Sequence, residues 1–243
     1  MRWKKVVGIG PGSIDDMTFR AYNVIKECDV VVGYITYINL MKEIINDKEI
    51  ISSGMRNEIS RCKECLKIAL EGKKVCLISS GDVGIYGMAG LMYEIAEHEN
   101  KNIDIEIIPG ISAFNSSASI LGAPIVHDFA SLSLSNYLTP WEIIEKRLRL
   151  AAQADFVIVL YNPKSKERPD SIRLAQNILL KYKSEDTPVG IVKNASRNGQ
   201  NITITTLKEI NNHEIDMTTT VIIGNEKTYV INGKMITPRG YKL

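Results

Sequence analysis

The stretch Ser79-Ser80-Gly81-Asp82-Val83-Gly84-Ile85-Tyr86-Gly87-Met88 follows the apolar run 75–78 and precedes a helical pattern. An apolar strand that breaks into glycines around one carboxylate and restarts as a helix is how α/β proteins bring backbone close to a small ligand. Gly81, Gly84 and Gly87 let the main chain turn with positive φ and let a ligand approach where a Cβ would obstruct it. Asp82, among them, can hold a ribose hydroxyl, orient an amine or cap the next helix. Spacing alone leaves these three roles open.

Working outward, the same strand–loop–helix rhythm recurs on both sides. Residues 3–9 read as a buried strand ending in Gly8-Ile9-Gly10-Pro11-Gly12, after which Ser13, Asp15, Asp16 or Thr18 can cap a helix to about Cys28. A strand at 103–108 ends in Pro109-Gly110-Ile111-Ser112-Ala113, where Ser112 can cap a helix to Leu121. Between them lie a strand at 30–32, a helix near 38–45, a short strand at 49–52, a helix at 57–70 and a helix at about 86–98. This alternation predicts a mainly parallel sheet with helices on both faces, and the loops holding Gly10, Gly81 and Gly110 should gather at its carboxyl edge. A dinucleotide fingerprint fits poorly: the spacing is G-x-G-P-G, strand 30–32 ends in Gly33-Tyr34 with no acid for a ribose, and Asp29 stands at its wrong end.

Around Gly122-Ala123-Pro124 the pattern changes, which places a domain boundary there: an N-terminal α/β domain at 1–121 and a C-terminal α/β domain at 122–243. The second half reads as an alternating piece at 131–135, a helix opening at Trp141, a strand at 156–160, the turn Tyr161-Asn162-Pro163, a helix at about 169–183 and strands at 189–192, 202–205 and 220–223. Short connections such as Asn198-Gly199 favour antiparallel pairing, hence a mixed sheet.

Composition bounds the function. With 44% hydrophobic and 24% charged residues over 243 positions, the chain is that of a globular protein with ample core, and its net charge of +2 argues against a general nucleic-acid binder. No run approaches the roughly 18 apolar residues of a membrane span, and the start passes directly into a strand, so the expected location is the cytoplasm, with no membrane partner. The four cysteines, Cys28, Cys62, Cys65 and Cys76, are too few and too uneven for a secreted disulfide framework. Cys62 and Cys65 form a C-x-x-C within a helical pattern, with no second Cys/His pair at ligand spacing, and His98, His127 and His213 are scattered, so no metal site is expected.

Taken together, Gly8-Ile9-Gly10-Pro11-Gly12, Ser80-Gly81-Asp82-x-Gly84-Ile85-Tyr86-Gly87, Pro109-Gly110-Ile111-Ser112-Ala113, Leu160-Tyr161-Asn162-Pro163 and Thr237-Pro238-Arg239-Gly240-Tyr241 resemble the tetrapyrrole methylases over nearly the whole chain. Within that family, Gly54-Met55-Arg56, His127-Asp128-Phe129, Leu134-Ser135-Asn136-x-Leu138-Thr139-Pro140-Trp141 and Val221-Ile222-Ile223-Gly224-Asn225 resemble the branch that methylates carbon 17 of the macrocycle in cobalamin synthesis, on precorrin-3B or its cobalt-factor III counterpart. Val83 stands where many members have Pro, and Asn136 where Asp is common.

The resemblance implies a homodimer of two-domain subunits with S-adenosyl-L-methionine between the domains, leaving as S-adenosyl-L-homocysteine. It implies adenosyl contacts from Pro11, Gly81, Asp82, Ile85, Tyr86, Ser112 and Ala113 in the first domain, and from Leu160, Tyr161, Asn162, Ala195, Thr219 and Thr220 in the second. Methyl transfer from a sulfonium is an in-line displacement that mainly needs positioning and exclusion of water. The resemblance further implies ring contraction, which needs proton transfer; His127 and Asp128 are the candidate catalytic pair. A substrate rimmed with carboxylates calls for cations, and Arg56, Lys193, Arg197 and Arg239 lie beside motif loops. Heavy use of Ile, Lys and Asn suggests an AT-rich genome, common among anaerobes, which favours the cobalt-containing ring. Related methylases acting on a different ring carbon, on ribosomal RNA or in diphthine synthesis, and a non-catalytic adenosyl-binding module, are the alternatives.

Overall fold

The computed structural model describes residues 4–100 and 104–242. Contacts within the chain group it into two units, Met1–Ala113 and Phe114–Leu243.

The first unit runs β1 (Lys4–Gly8), α1 (Phe19–Glu27), β2 (Val30–Tyr34), α2 (Ile35–Leu40), α3 (Lys42–Ile45), β3 (Glu49–Ser53), α4 (Glu58–Leu70), β4 (Val75–Ser79), α5 (Ala89–His98) and β5 (Ile105–Ile108). Trp3 and Ile103, which the sequence reading placed at strand starts, lie outside the described residues. All five strands are parallel, in the order β3-β2-β4-β1-β5. Alternate strand residues feed two cores on opposite faces: Val6, Val30, Val32, Val75 and Leu77 pack against α4 and α5, while Val7, Val31, Cys76 and Ile78 pack against α1 to α3. Each fully buried aliphatic contributes roughly 1.5–3 kcal/mol, so these two stripes hold the sheet between its helices. The chain leaves β1 towards β2 and leaves β4 towards β5, in opposite directions from neighbouring strands. That reversal opens a crevice at their carboxyl ends.

Thr18 is the residue that caps α1, accepting a hydrogen bond from Ala21 N–H at 3.1 Å. The helix expected over 38–45 begins earlier and is broken at Met41, whose φ of −105° separates α2 from α3. On α4 the buried residues Cys62, Cys65, Leu66 and Ala69 follow helical spacing, so the C-x-x-C is an ordinary apolar helix face.

The units meet at the start of α6 (Ala113–Leu121), of which all but Ala113 belongs to the second; it goes on through β6 (Gly122–Ala123), β7 (Phe129–Ser133), α7 (Trp141–Gln153), β8 (Val157–Tyr161), α8 (Ser171–Leu179), β9 (Pro188–Lys193), β10 (Asn201–Thr206), β11 (Thr219–Ile223), β12 (Tyr229–Ile231) and β13 (Lys234–Ile236). Ala118 and Leu121 of α6 pack with Val157, Val159, Val192 and Ile222, so the helix groups with the strands of the second unit and the units divide eight residues before Gly122. The main sheet has the order β10-β9-β11-β8-β7 and is mixed: β7 and β8 are parallel, while β11 runs antiparallel to β8 and β9, and β9 to β10. A second, three-stranded sheet, β12-β13-β6, has no counterpart in the sequence reading.

Candidate functional site

In the first unit three glycine loops meet at the carboxyl ends of β1, β4 and β5. Gly10 and Gly81 form an antiparallel bridge past the parallel strands, with Gly81 N–H donating to Gly10 O at 2.7 Å and Gly10 N–H to Gly81 O at 3.2 Å. Both are in the left-handed region, at φ +76° and +67°. A Cβ on Gly10 would lie 2.7 Å from Asp16 O. Here the turn demands glycine.

Asp82 is half-buried and does not cap α5; the residue before that helix is Met88, which makes no side-chain cap bond. Its carboxylate instead ties two loops together: Oδ1 accepts from Gly84 N–H at 2.8 Å and Oδ2 from Gly110 N–H at 3.0 Å. Each oxygen keeps a further lone pair for a ligand hydroxyl or ammonium. Tyr86 is held at φ +54° and is half-exposed, and Ala89 N–H reaches back to Val83 O at 3.0 Å, so α5 starts three residues later than expected. Pro11 and Ser112 are buried beside this edge, Ile85 N–H bonds Asp82 O at 3.3 Å, and Ala113 opens α6. The seven first-unit residues expected to touch the adenosyl group therefore converge on one edge. Carboxylate, hydroxyl, open backbone and small side chains suit a neutral nucleoside joined to a cationic amino acid, so the residues fit S-adenosylmethionine.

The second unit gathers its own set. Because β11 runs antiparallel to β8 and β9, Thr219 and Thr220 at its start lie at the same sheet end as Leu160 and Tyr161 closing β8 and Ala195 just after β9. Tyr161 OH accepts from Phe114 N–H at 3.0 Å in the first turn of α6. Asn162, at φ +50°, donates through Nδ2 to Ser133 Oγ at 2.9 Å. Arg168, unremarked in the sequence, holds this turn: its Nη1 donates to Leu134 O at 2.8 Å and to Asn162 O at 3.1 Å, and burial lowers its pKa. Asn194 and Ser196 flank Ala195 at φ +52° and +56°, with the Ser196 and Ser116 hydroxyls 2.9 Å apart. Non-glycine residues in that region carry strain that clusters at functional loops.

The remaining candidates are more dispersed. Lys193 is at the same end of the sheet, but its ammonium is paired with Glu214 at 2.5 Å and Asp216 at 2.9 Å, and the Glu214 bond, then that of Asp216, raises its pKa. Arg197 belongs to the 194–200 turn, Arg239 is exposed near the C-terminus, and Arg56 follows β3 at φ +65°. His127 and Asp128 precede β7, where Phe129 pairs with Val157. That is four residues before Tyr161 along β8, roughly 13 Å at the rise of a strand. The His127 Nδ1 lies 2.7 Å from its neighbour's backbone nitrogen and 3.3 Å from the Asp128 carboxylate; without a hydrogen it accepts from the first, and carrying one it donates to the second.

Among the described residues no group of three or more His, Cys, Asp or Glu could hold a metal ion, and no helix is long and apolar enough to cross a membrane. Burial pushes the Cys62 thiol up to about 11 and the Cys65 thiol up to about 12. Neither should therefore react with a thiol reagent such as iodoacetamide at pH 8 in the folded protein. Labelling of Cys62 or Cys65 as fast as that of a denatured control would contradict this burial.

The model for the Tetrapyrrole (Corrin/Porphyrin) Methylases matches residues 5–211. The chain belongs to that family. It is 52% identical to the "Cobalt-factor III methyltransferase" of Priestia megaterium over 98% of its own length, although it spans only 45% of that longer relative. It is 48% identical to the "Probable cobalt-factor III C(17)-methyltransferase" of Salmonella typhimurium, covering 98% of this chain and 99% of the relative. The crystal structure of the methyltransferase CobJ superposes with a TM-score of 0.92 at 34% identity, covering 98% of this chain and 100% of that one. The α/β fold, with one parallel and one mixed sheet, is thus that of a tetrapyrrole methyltransferase.

Proposed function

We propose that this chain transfers a methyl group from S-adenosylmethionine to carbon 17 of a cobalt-factor III-type macrocycle, with contraction of the ring, in cobalamin biosynthesis. The observation that carries the reading is the 48% identity to a relative so named along 99% of that relative's length. The cobalt-containing ring is preferred over precorrin-3B because both of the relatives described above carry cobalt-factor III in their names.

S-adenosylmethionine brings an electrophilic methyl on a sulfonium. The chain's part is to bind and orient it: Asp82 accepts hydrogen bonds from the ribose or the amine, and the Gly10–Gly81 backbone pair leaves room for close approach. Pro11, Ile85, Tyr86, Ser112 and Ala113 complete the first-unit contacts, and Leu160, Tyr161, Asn162, Ala195, Thr219 and Thr220 supply those of the second. Arg56, Arg197 and Arg239 meet rim carboxylates; Lys193, already paired with two acids, can do so only by leaving one of them. We further propose a cytoplasmic homodimer.

The test is incubation of purified protein with S-adenosylmethionine and cobalt-factor III without oxygen, followed by mass and absorbance spectra. One added methyl with a changed chromophore is expected. No mass change on either cobalt or metal-free ring, or transfer to ribosomal RNA alone, would refute the proposal. An adenosyl-binding module without turnover would give that same absence of mass change.

His127 is proposed as the proton carrier of ring contraction on the strength of its exposed imidazole, whose two ring nitrogens can give and take a proton, although it stands at the far end of β7 from Ser133. The proposal expects His127→Ala to retain methyl transfer and lose the contracted product. Unchanged contracted product removes His127 from the mechanism.

A further inference from the structure

The connection between β3 and α4 is held by its own side chains, with Arg56 N–H donating to Glu58 Oε1 at 3.3 Å. Arg56 is held at φ +65°, where a side chain is strained. Beneath it Arg61, only 7% exposed, is given over to fixing the loop: Nη1 donates to Ser53 Oγ at 3.0 Å and to Gly54 O at 2.8 Å, and Nη2 to Glu58 Oε1 at 3.3 Å. Its guanidinium lies 5.9 Å from the centre of the Tyr34 ring. A desolvated cation thus braces a loop whose apolar side chains point away from any core. Met55 is 60% exposed, and Ile59, in the first turn of α4, is 59% exposed. Ile35, directly after β2, is 43% exposed, and β2 lies beside β3 with Tyr34 in register with Ser53. Met55 and Ile59 therefore leave the end of β3 on the same carboxyl edge that carries Asp82, while Ile35 opens α2, which packs on the opposite face of the sheet from α4. Clustered exposed apolar groups mark a surface that another molecule covers.

We infer that Met55 and Ile59 form an apolar seat for one face of the macrocycle, with Arg56 at its border to meet a rim carboxylate. The inference rests on the function proposed above and assigns residues that the function alone does not. A tetrapyrrole precursor is flat, apolar over its faces and anionic around its edge. A rigid apolar ledge ending in a cation matches both properties, and rigidity in the free protein lowers the ordering cost of binding. Arg61 supplies that rigidity and is a positioning residue, not a contact.

The test is the double variant Met55→Ser/Ile59→Ser in the full chain, assayed with cobalt-factor III and S-adenosylmethionine. Both side chains are exposed, so thermal stability should stay within a few degrees of wild type. The expected result is a KM for the macrocycle raised by about tenfold or more, from lost apolar contact, with the Kd for S-adenosylhomocysteine unchanged within about twofold by calorimetry. An unchanged macrocycle KM beside an active wild type overturns the inference and leaves the function standing. A lowered sedimentation coefficient in the double variant shows a contact between copies of the chain, and overturns it as well. A wild type that neither binds nor methylates the macrocycle removes the function and the inference together.

Discussion

Replacing Asp82 by Ala is expected to lower methyl transfer by about two orders of magnitude and to raise the Kd for S-adenosylhomocysteine by a similar factor, because hydrogen bonds to a charged group contribute about 1.5–3 kcal/mol each and two are lost at once. The carboxylate joins Gly84 of its own loop to Gly110 of the next, so its removal leaves two backbone N–H groups to water and lets the loops separate. The lower end of the range applies, since the residue is only half-buried and water replaces part of what is lost. Asp82→Asn separates bracing from ligand binding. Its amide oxygen can serve Gly84 or Gly110 but not both, and its NH2 then opposes a backbone N–H, so an intermediate loss is expected. Calorimetry with S-adenosylhomocysteine and initial rates with the macrocycle measure both effects; an Asp82→Ala protein that binds within about twofold of wild type would show that the carboxylate matters to neither.

The same loop shows what a sequence discloses and what it withholds. Strand-length apolar runs ending in glycine gave the parallel sheet, and the likeness of the three loops gave their common edge, because both properties are local and periodic. The role of Asp82 as a brace was not legible, because its partner Gly110 lies on another strand and its distance in sequence carries no signal. The late start of α5 depends on Tyr86 adopting a positive φ that its residue type does not advertise. Arg61 and Arg168 stand in no motif of the sequence; only the folded chain shows them donating to the carbonyls of Gly54, Leu134 and Asn162. The β12–β13 hairpin does leave a local mark: Asn232-Gly233, at φ +49° and +69°, between Tyr229-Val230-Ile231 and Met235-Ile236 is a hairpin turn signal. Its parallel pairing with Gly122 and Ala123 of β6, by contrast, joins residues too far apart for any pattern to reveal.

Gly110→Ala should be the most damaging single methyl group that can be added to the first unit. Its φ is not in the left-handed region, so alanine is not disfavoured by backbone conformation; the penalty is contact alone. The new Cβ would fall 2.3 Å from Gly81 O and 2.7 Å from both the carbonyl carbon and the oxygen of Gly8. These neighbours are main chain at the ends of β1 and β4, where Gly8 pairs with Ser79, and they have no rotamer with which to yield. Relief requires the β5 loop to move away, which also lengthens the bond from Gly110 N–H to Asp82 and exposes the edge proposed to hold the donor. Overpacking typically costs about 1–3 kcal/mol, and a clash against rigid backbone belongs at or above the upper end. At about 2–4 °C per kcal/mol for a chain of this size, Tm should fall by roughly 6–12 °C. Gly90→Ala is the matched control: it sits in α5 with nothing within 4 Å of the new Cβ, so Tm should hold or rise slightly. Thermal melts of the two variants, each with and without S-adenosylhomocysteine, separate the outcomes. Gly110→Ala should lose most of the ligand-induced rise in Tm that Gly90→Ala keeps, and a Gly110→Ala protein that melts and responds to ligand like wild type would mean that the three loops are not packed backbone to backbone.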